Sequence, residues 1–381
     1  MYAGTGMRSS ERAAPAFEAF DWRAAGLRYY PLGQYFRRQF GRRAWKVSLD
    51  AGCDCPNVDG TLASDGCLFC NVASYSPSRR GPRRPLTRQI DDACQRLGSK
   101  RKCDALLAYF QPATNTHAPV EQLRAWWSEA LSHPKIVGLI VGTRPDCVAD
   151  PILDLAAEFS GRTWMSIEYG LQTVHERSLR WLRRRHGYDA FRDAVARSRS
   201  RGIRVGAHVI LGLPGESRDD MRATARELAR LAIDSVKLHN LYVPRDTRLA
   251  DLLAAGAVRL PGRDEYASYV VDFLEVLHPG CVVDRLGADA PPEFLVAPDW
   301  CLDKPAVRAA VDAEFARRDT WQGREFGSPR LFPAGRTGDM LKDGDWSGPD
   351  GRRPAASRAR HIGPSERGRE ESPGSAGHGG G

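Results

Sequence analysis

Four of the nine cysteines in this 381-residue sequence lie in one short loop, "AGCDCPNVDGTLASDGCLFC", from Ala51 to Cys70. Thiols gathered so closely are typical of a disulfide, a zinc site or an iron–sulfur cluster. A disulfide is the weakest interpretation, because nine is an odd number and the N-terminus lacks the hydrophobic segment of a signal peptide. We therefore expect a cytoplasmic protein, and stable disulfides are uncommon in that reducing compartment.

The spacing of the four cysteines favours an iron–sulfur cluster over zinc. Zinc in structural sites takes four tetrahedral ligands, usually in closely spaced pairs. Cys67 and Cys70 form such a pair, but a single residue separates Cys53 from Cys55, and the nearest histidine, His117, is far along the chain. A thioredoxin-type redox pair would leave Cys55 unexplained. Three thiolates suit a [4Fe–4S] cluster with one iron open to a small molecule, and zinc remains the alternative.

The segments around this loop predict an α/β fold. Six apolar runs read as strands, at 45–52, 103–111, 135–146, 163–173, 204–216 and 234–244. Amphipathic stretches between them read as helices, at 120–133, 150–159, 188–202 and 218–232. Strands separated by helices indicate βαβ units and a parallel sheet. The expected architecture is an incomplete (β/α)6 barrel of TIM type with a C-terminal extension.

Polar or glycine-rich residues follow every predicted strand, and the first strand leads into the cysteine loop. In a barrel of this type chemistry gathers at the C-terminal strand ends, so we expect these segments to meet at one active site. Glu168 lies on an apolar strand, where an unpartnered carboxylate is costly to bury. Lys237 and His239 alternate with apolar residues on the sixth strand. They are candidates to contact a substrate or to form a polar pair inside the barrel.

Composition sets the domain limits and suggests the class of partner. We predict a loose leader at 1–27, a core barrel at 28–250, an extension packed on the barrel at 251–323 and a disordered tail at 324–381. No apolar run approaches the ~20 residues that cross a membrane. The formal net charge of +9 favours polyanions such as nucleic acid, although arginine-rich codon usage would give the same balance. The arginine-rich stretch at 177–201 is the candidate phosphate-binding segment.

Several motifs follow one another along the chain: "YFQPATNT", "VGTRPDCVADPILDL", "EYGLQTVHERSLRWLRRRH", "HVILGLPGE" and "VKLHNLYV". Together with "RYYPLGQYFRRQFGRRAWKVSLDAGCDCPNVDGTLASDGCLFCNVASYSP" they resemble the YhcC/Elp3-like family of radical S-adenosylmethionine (SAM) enzymes. The resemblance covers roughly residues 28–322. It implies that Cys55, Cys67 and Cys70 bind a [4Fe–4S] cluster whose open iron chelates SAM. Cys53 departs from the family pattern, and Cys147 and Cys301 receive no role.

The resemblance also implies further cofactor-binding residues. Phe69 would pack beside the adenine, and Gly212 and Gly215 would let the backbone approach the adenosine. The polar groups of the cofactor would be held by residues at the strand ends, namely Gln111, Thr143, Arg144, Glu168 and Gln172.

The implied reaction is reductive cleavage of SAM to methionine and a 5′-deoxyadenosyl radical, with electrons from a flavodoxin- or ferredoxin-like donor. The Elp3-like resemblance and the basic charge point to tRNA as substrate, modified at the wobble uridine. The alternatives are a radical SAM enzyme acting on a small metabolite, and a zinc-stabilised nucleic-acid-binding protein that is not an enzyme.

Overall fold

Seven parallel strands form the central sheet of the computed structural model, which describes residues 22–98 and 105–327. In chain order the strands of the whole fold are β1 Trp45–Leu49, β2 Leu106–Phe110, β3 Ile136–Thr143, β4 Trp164–Gln172, β5 Arg204–Leu211, β6 Ser235–Asn240, β7 Val243–Pro244, β8 Val282–Arg285 and β9 Leu295–Ala297. The sheet order is β1-β2-β3-β4-β5-β6-β8, and β7 pairs with β9 in a small antiparallel ribbon. This is the predicted incomplete barrel with one more strand. The predicted beginning of the second strand at 103, with Cys103, lies outside the described residues.

The strands alternate with helices, as the sequence predicts. The helices are α1 Leu32–Phe40, α2 Val72–Tyr75, α3 Leu86–Gly98, α4 Val120–Ser132, α5 Asp150–Arg162, α6 Glu176–Trp181, α7 Tyr188–Ser200, α8 Arg218–Arg230, α9 Arg248–Ala254, α10 Arg263–Val276 and α11 Lys304–Arg318, with 3-10 turns at Pro77–Arg80 and Asp299–Leu302. Helix α8 begins at a capping box, in which Ser217 and Asp220 satisfy each other's backbone N–H groups. None of the described helices has both the length and the apolarity to cross a bilayer.

The seventh strand of the sheet, β8, comes from the predicted C-terminal extension. It pairs with β6 in parallel, with Ser235 opposite Val282 and Lys237 opposite Arg285. The prediction of six barrel strands therefore omitted one. Strand β8 has only four residues, and its second half is charged, so it lacks the long apolar run that marks a buried parallel strand. The extension thus contributes residues to the barrel itself.

Alternate side chains of the strands face the two sides of the sheet. On β2, Leu106 and Phe110 belong to the main core, whereas Leu107 and Tyr109 face an aromatic cluster that includes Trp164. Helix α1 packs into that cluster, and the Trp164 indole N–H donates to the hydroxyl of Tyr35 at 2.8 Å. Because successive side chains of a strand point to opposite faces, this helix fills the inside of the half-barrel.

Both predicted ends of the folded region need adjustment. Trp22, inside the predicted leader, is buried and donates its indole N–H to the carbonyl of Pro279 at 3.1 Å. Past the predicted start of the tail, the backbone N–H of Glu325 donates to the carbonyl of Glu275 at 2.8 Å, and Phe326 packs edge-on against His278. An aromatic residue within each otherwise polar segment extends the packed region. The remainder of both predicted segments, 1–21 and 328–381, lies outside the described residues.

Candidate active site at the carboxyl ends of the strands

A cavity of about 360 Å³ opens where the cysteine loop meets the carboxyl ends of the strands. Most of the predicted site residues line it: Cys55, Cys67, Phe69, Cys70, Gln111, Thr143, Arg144, Glu168, Gln172, Lys237 and His239. They come from the cysteine loop and from β2, β3, β4 and β6 or the residues that directly follow these strands. The parallel topology brings these ends to one edge, which is why residues far apart in the sequence meet here.

Gly212 and Gly215 are the exceptions among the predicted residues, because neither lies on the cavity wall. Both adopt positive φ angles, +81° and +79°, in the turn after β5. A Cβ atom on Gly212 would also lie 3.0 Å from Cγ of Pro261. The positive φ angles, and at Gly212 the close packing, are reason enough for glycine at these positions, and their approach to a bound adenosine stays a prediction.

The cysteine loop presents three free thiols to the cavity. Cys67 is buried, and Cys55 and Cys70 are half-buried. Two turns shape the loop: the N–H of Val58 donates to the carbonyl of Cys55 at 2.8 Å, and the N–H of Cys70 donates to that of Cys67 at 3.1 Å. Burial, followed by the proximity of Cys67, raises the pKa of the Cys70 thiol to about 12. Such a thiol ionises readily only when a cation binds its sulfur.

The three sulfurs do not converge on one point. Within residues 22–98 and 105–327, no group of three or more His, Cys, Asp or Glu side chains is placed to hold a single metal ion. In an iron–sulfur cluster each cysteine binds a different iron, so its ligands stand apart from one another. The chemistry of three thiols on one wall of one cavity fits that cofactor.

Cys53, Cys147 and Cys301 do not lie on the wall of this cavity. Cys53 is packed in the main core, and burial raises its pKa to about 12. Burial also raises the pKa of Cys147 to about 12. Cys301 packs with Ala290 and Leu295 in a small apolar cluster. These surroundings are those of ordinary buried thiols.

Residues 182–185 hold the cysteine loop in place, which sequence reasoning did not foresee. Arg183 and Arg185 each place a guanidinium nitrogen 2.6 Å from the carboxylate of Asp65. The side-chain amide of Asn57 donates to the carbonyl of Arg183 at 3.1 Å, and the N–H of Leu68 donates to the carbonyl of Leu182 at 3.1 Å. The loop is therefore fixed along its length by one neighbouring segment.

Arg184 points the opposite way from its two neighbours, into the protein. Its Nη1 donates to the sulfur of Cys67 at 3.4 Å, and its Nη2 donates to the carbonyl of Gly170 at 2.9 Å. The amide of Asn57 donates to the same sulfur at 3.3 Å. Two N–H donors therefore hold this sulfur in place on the cavity wall. The only local signal is the positive φ of Arg183 and Arg185, +56° and +58°, which a sequence does not reveal.

The predicted phosphate-binding stretch is largely neutralised within the fold. Seven of the nine arginines between residues 177 and 201 have a carboxylate within 4.0 Å: Arg177, Arg183, Arg185, Arg192, Arg197, Arg199 and Arg201. Arg184 is buried against Cys67. Most arginines of this stretch are therefore paired with acidic residues that the sequence did not reveal, and the role of the stretch in binding phosphate stays a prediction.

Glu168 is the centre of a buried ionic network at the floor of the cavity. Its Oε1 accepts from Nζ of Lys46 at 2.8 Å, and its Oε2 accepts from Nε2 of His208 at 2.8 Å and from Nζ of Lys237 at 3.5 Å. Lys46 also pairs with Asp284 on β8. Burial alone would raise the pKa of Glu168, but the charges of Lys46 and Lys237 hold it well below its usual value. Sequence reasoning identified Glu168 and Lys237 and missed the other three.

His239 and Arg285 lie beside this network. Burial, and then the charge of Arg285, lowers the pKa of His239 well below its usual value, so this imidazole is neutral at pH 7. Nη2 of Arg285 donates to Nε2 of His239 at 3.2 Å. Burial lowers the pKa of Lys237 to about 8. The far end of the cavity thus carries lysine and arginine cations next to neutral histidines.

Arg144 offers a hydrogen-bond donor to the cavity. Its Nη2 lies 2.7 Å from the carboxylate of Asp146, whereas its Nη1 is buried on the cavity wall and has no hydrogen-bond partner among residues 22–98 and 105–327. The hydroxyl of Thr114 on the same wall is likewise buried without a partner. Buried polar atoms in folded proteins are normally satisfied, so these atoms fit a bound polar cofactor.

Comparisons with known proteins agree with this geometry. The Radical SAM superfamily model matches residues 63–228, and the Radical_SAM C-terminal domain model matches residues 233–317. The chain is 38% identical to the Bacillus subtilis protein YtqA over 307 residues, 81% of this chain and 95% of that protein. It is 33% identical to Escherichia coli K12 protein YhcC over 303 residues, 79% and 96% of the two chains.

More distant similarities concern the fold and one group of tRNA enzymes. Methanocaldococcus infernus Elp3, a solved structure, matches with a TM-score of 0.56 at 15% identity, over 73% of this chain and 64% of that chain. A tRNA uridine(34) acetyltransferase from the same organism is 24% identical over 173 residues, 44% of this chain and 32% of that protein. The matches to YtqA and YhcC span most of both chains. They show that this chain belongs to the radical SAM superfamily, within the family of YhcC and YtqA. That membership implies SAM and a [4Fe–4S] cluster as cofactors.

Proposed function

We propose that this chain is an enzyme that holds a [4Fe–4S] cluster on Cys55, Cys67 and Cys70 and uses SAM to attack an unreactive C–H bond. When bound, the cluster supplies an open iron that binds SAM and an electron that cleaves it to methionine and a 5′-deoxyadenosyl radical. The single observation that carries this proposal is the convergence of the three thiols with the polar strand ends on one cavity.

The residues around that cavity would position the cofactors and exclude water. Arg184 and Asn57 donate to the sulfur of Cys67 and so hold one ligand in place. Arg144 presents its unpartnered Nη1 to polar groups of SAM. Phe69, which packs against an apolar cluster with members on β5, β7 and α9, would cover the adenine. The cofactors perform the chemistry, and the chain orients them in a closed site.

Anaerobic reconstitution tests the proposal directly. The reconstituted protein should contain about four irons and an equal amount of acid-labile sulfide per chain, as one [4Fe–4S] cluster requires. After reduction with dithionite it should convert SAM slowly to 5′-deoxyadenosine, even without a substrate. Zinc in place of iron, or no 5′-deoxyadenosine from protein that holds a full complement of iron, would overturn the proposal.

For the substrate we propose tRNA, modified at an anticodon-loop uridine. Support comes from the net charge of +9 and from the partial similarity to a tRNA uridine(34) acetyltransferase. Most arginines at 177–201 have carboxylate partners, but Arg177 and Arg192 are more than half exposed, so this stretch stays one of the surfaces that would contact phosphates. Nucleoside mass spectrometry of tRNA from a deletion strain should lack one modified uridine that the complemented strain contains. An unchanged set of modified uridines would favour a small-metabolite substrate instead.

The electron for each turnover would come from a separate flavodoxin- or ferredoxin-like protein. We propose this donor because the described chain offers one cluster loop only, in the range Ala51–Cys70. Replacement of dithionite by reduced flavodoxin should sustain the formation of 5′-deoxyadenosine. Failure of flavodoxin and ferredoxin alike, with dithionite still effective, would contradict this part of the proposal.

A further inference from the structure

Arg285, on the strand that the sequence did not reveal, is a positive charge for which the described residues provide no counterion. Its side chain lines the active-site cavity, and its Nε is buried without a hydrogen-bond partner. In the part of the chain that the structure describes, no carboxylate lies within 4.0 Å of its guanidinium. An arginine stays protonated at any physiological pH, so the charge cannot be removed by titration.

The acidic residues nearby are already used by other cations. Asp284, next in sequence, pairs with Lys46, as does Glu168. Asp289, which lines the same cavity, lies 3.0 Å from Nζ of Lys304. The one side-chain partner of Arg285 among the described residues is the neutral ring of His239. Arg285 is half-buried and its Nε is fully buried, and a buried group of this kind is costly unless a partner satisfies it.

The bound cluster would not supply the missing negative charge. Arg184 is the cation that acts on Cys67 and Cys70. The charge of Arg285 instead acts on Lys237 and His239, at the floor of the barrel. The thiolates therefore complement the loop end of the cavity and leave Arg285 unmatched.

Arg285 also stands between two cavities. A second space of about 430 Å³ shares Asn240, Arg285 and Asp289 with the active-site cavity. Lys304 and Arg308 contribute to its wall, so it too has basic side chains. A molecule bound in the active-site cavity could thus reach Arg285 with one end while its other part faces the SAM site.

We propose that Arg285, together with Lys237 opposite it on β6, forms a subsite for an oxyanion carried by the substrate, a carboxylate or a phosphate. This inference rests on the proposed function, because that function makes the cavity the place where substrate meets SAM. Guanidinium groups bind both oxyanions through paired, charge-assisted hydrogen bonds. A carboxylate would come from a small acid, and a phosphate from a nucleotide or a sugar phosphate.

The test titrates the reconstituted protein, loaded with SAM under anaerobic conditions, with sodium phosphate or sodium succinate at constant ionic strength. A ligand that binds the native state raises the melting temperature in a saturable way. We expect such a rise with at least one of the two anions. The anion that binds more tightly indicates whether the substrate carries a carboxylate or a phosphate. Arg285→Gln should weaken that anion at least about tenfold, and Arg285→Lys should weaken it less.

Arg263→Gln is the matched control, because Arg263 is an exposed arginine on α10 that pairs with its neighbour Asp264. It should respond to the anions as the wild type does. The subsite would be overturned if Arg285→Gln and Arg285→Lys both respond to the anions as the wild type does. It would also be overturned if the wild type shows no saturable response to either anion. A parallel loss of SAM affinity in Arg285→Gln would assign the arginine to the cofactor and also overturn it. Failure of the wild type to form 5′-deoxyadenosine is a separate result, which counts against the proposed function.

Discussion

The two ends of the active-site cavity differ in how their positive charges are matched. At the loop end, Arg184 donates to the sulfur of Cys67, and the thiolates of a bound cluster would add negative charge there. At the floor, Glu168 is shared by several cations, and Arg285 has no carboxylate within the described residues. This difference supports the proposal that a resident cofactor would complete the loop end and that a negatively charged substrate group would bind at the floor.

The two ends also differ in where their residues come from. The loop end uses one continuous segment, Ala51–Cys70, and the short stretch at 182–185 that holds it. The floor uses single residues from β1, β4, β5, β6 and β8. A local segment can be recognised by its spacing, but a set of single residues becomes visible only when the strands are paired. Substitutions at the loop end and at the floor should therefore differ in the size of their effects on cluster binding and stability.

The largest expected effect concerns the loop end. Cys67→Ala should lose the cluster entirely, because each of the three cysteines would bind a different iron. Cys53→Ala is the matched control from the same loop, since Cys53 is buried in the core and not on the cavity wall. Iron and sulfide analysis after anaerobic reconstitution measures both. A cluster retained by Cys67→Ala and lost by Cys53→Ala would reverse the ligand assignment.

At the floor, the largest effect is expected from Glu168→Gln. This substitution leaves Lys46, Lys237 and His208 around a neutral amide, and removal of one partner of a buried ion pair typically costs about 3–5 kcal/mol. Urea unfolding of both proteins measures the change in the free energy of unfolding. Glu293→Gln is the control, because Glu293 forms an exposed pair with Arg80 and should change stability by less than about 1 kcal/mol. Equal stability of the two variants would show that the network is not held by Glu168.

Much of the fold could be predicted because the buried parallel strands have long apolar runs. All six predicted strands exist, and β3 illustrates why, since seven of its eight residues are buried and all but its last are apolar or glycine. Strand β8 was missed because it is short and half charged. The three cysteines of the cavity wall were proposed as cluster ligands from their spacing, which is local information.

The rest of the site could not be predicted, because it depends on pairings between distant residues. Lys46 meets Glu168 across 122 positions of sequence and Asp284 across 238. The segment at 183–185 resembles a solvated basic run, and only the backbone turn at its positive φ angles directs Arg184 inward. Neither the pairings of Lys46 nor the inward direction of Arg184 follows from a periodicity or a residue spacing in the sequence.

The histidines of the floor predict a loss of stability in mild acid. Burial, and then the charge of Lys237, lowers the pKa of His208 to about 4, whereas an unfolded histidine titrates near 6.5. Between these values the unfolded state binds a proton that the folded state does not, so stability falls as the pH falls from about 6.5 to about 4. For His208 alone the loss is about 3 kcal/mol over that interval. His208→Gln should reduce the slope of unfolding free energy against pH by close to one proton in this window.

His133→Gln is the control for the dependence of the unfolding free energy on pH. His133 is half-buried on the far side of α4 and lies 3.4 Å from Asp91, away from the cavity. This variant should keep the acid-dependent slope of the wild type. An identical slope in wild type and His208→Gln would contradict the neutral state of His208 and, with it, the description of the floor as cations next to neutral histidines.

The smallest expected effect lies at the loop end and is electronic rather than structural. Arg184 donates to the sulfur of Cys67, and a hydrogen bond to a cluster ligand stabilises the reduced state, which carries more negative charge. Arg184→Gln should therefore lower the reduction potential of the cluster by on the order of 50 mV, with the iron content preserved. Arg183→Gln is the control, because its guanidinium pairs with Asp65 at the surface of the loop and does not contact a sulfur. Redox titration followed by electron paramagnetic resonance separates the two, since a merely structural loss would reduce the amount of cluster in both variants and leave its potential unchanged. Equal reduction potentials in wild type and Arg184→Gln would show that this arginine only holds the loop. The positive charge at the loop end would then not adjust the potential of the cluster.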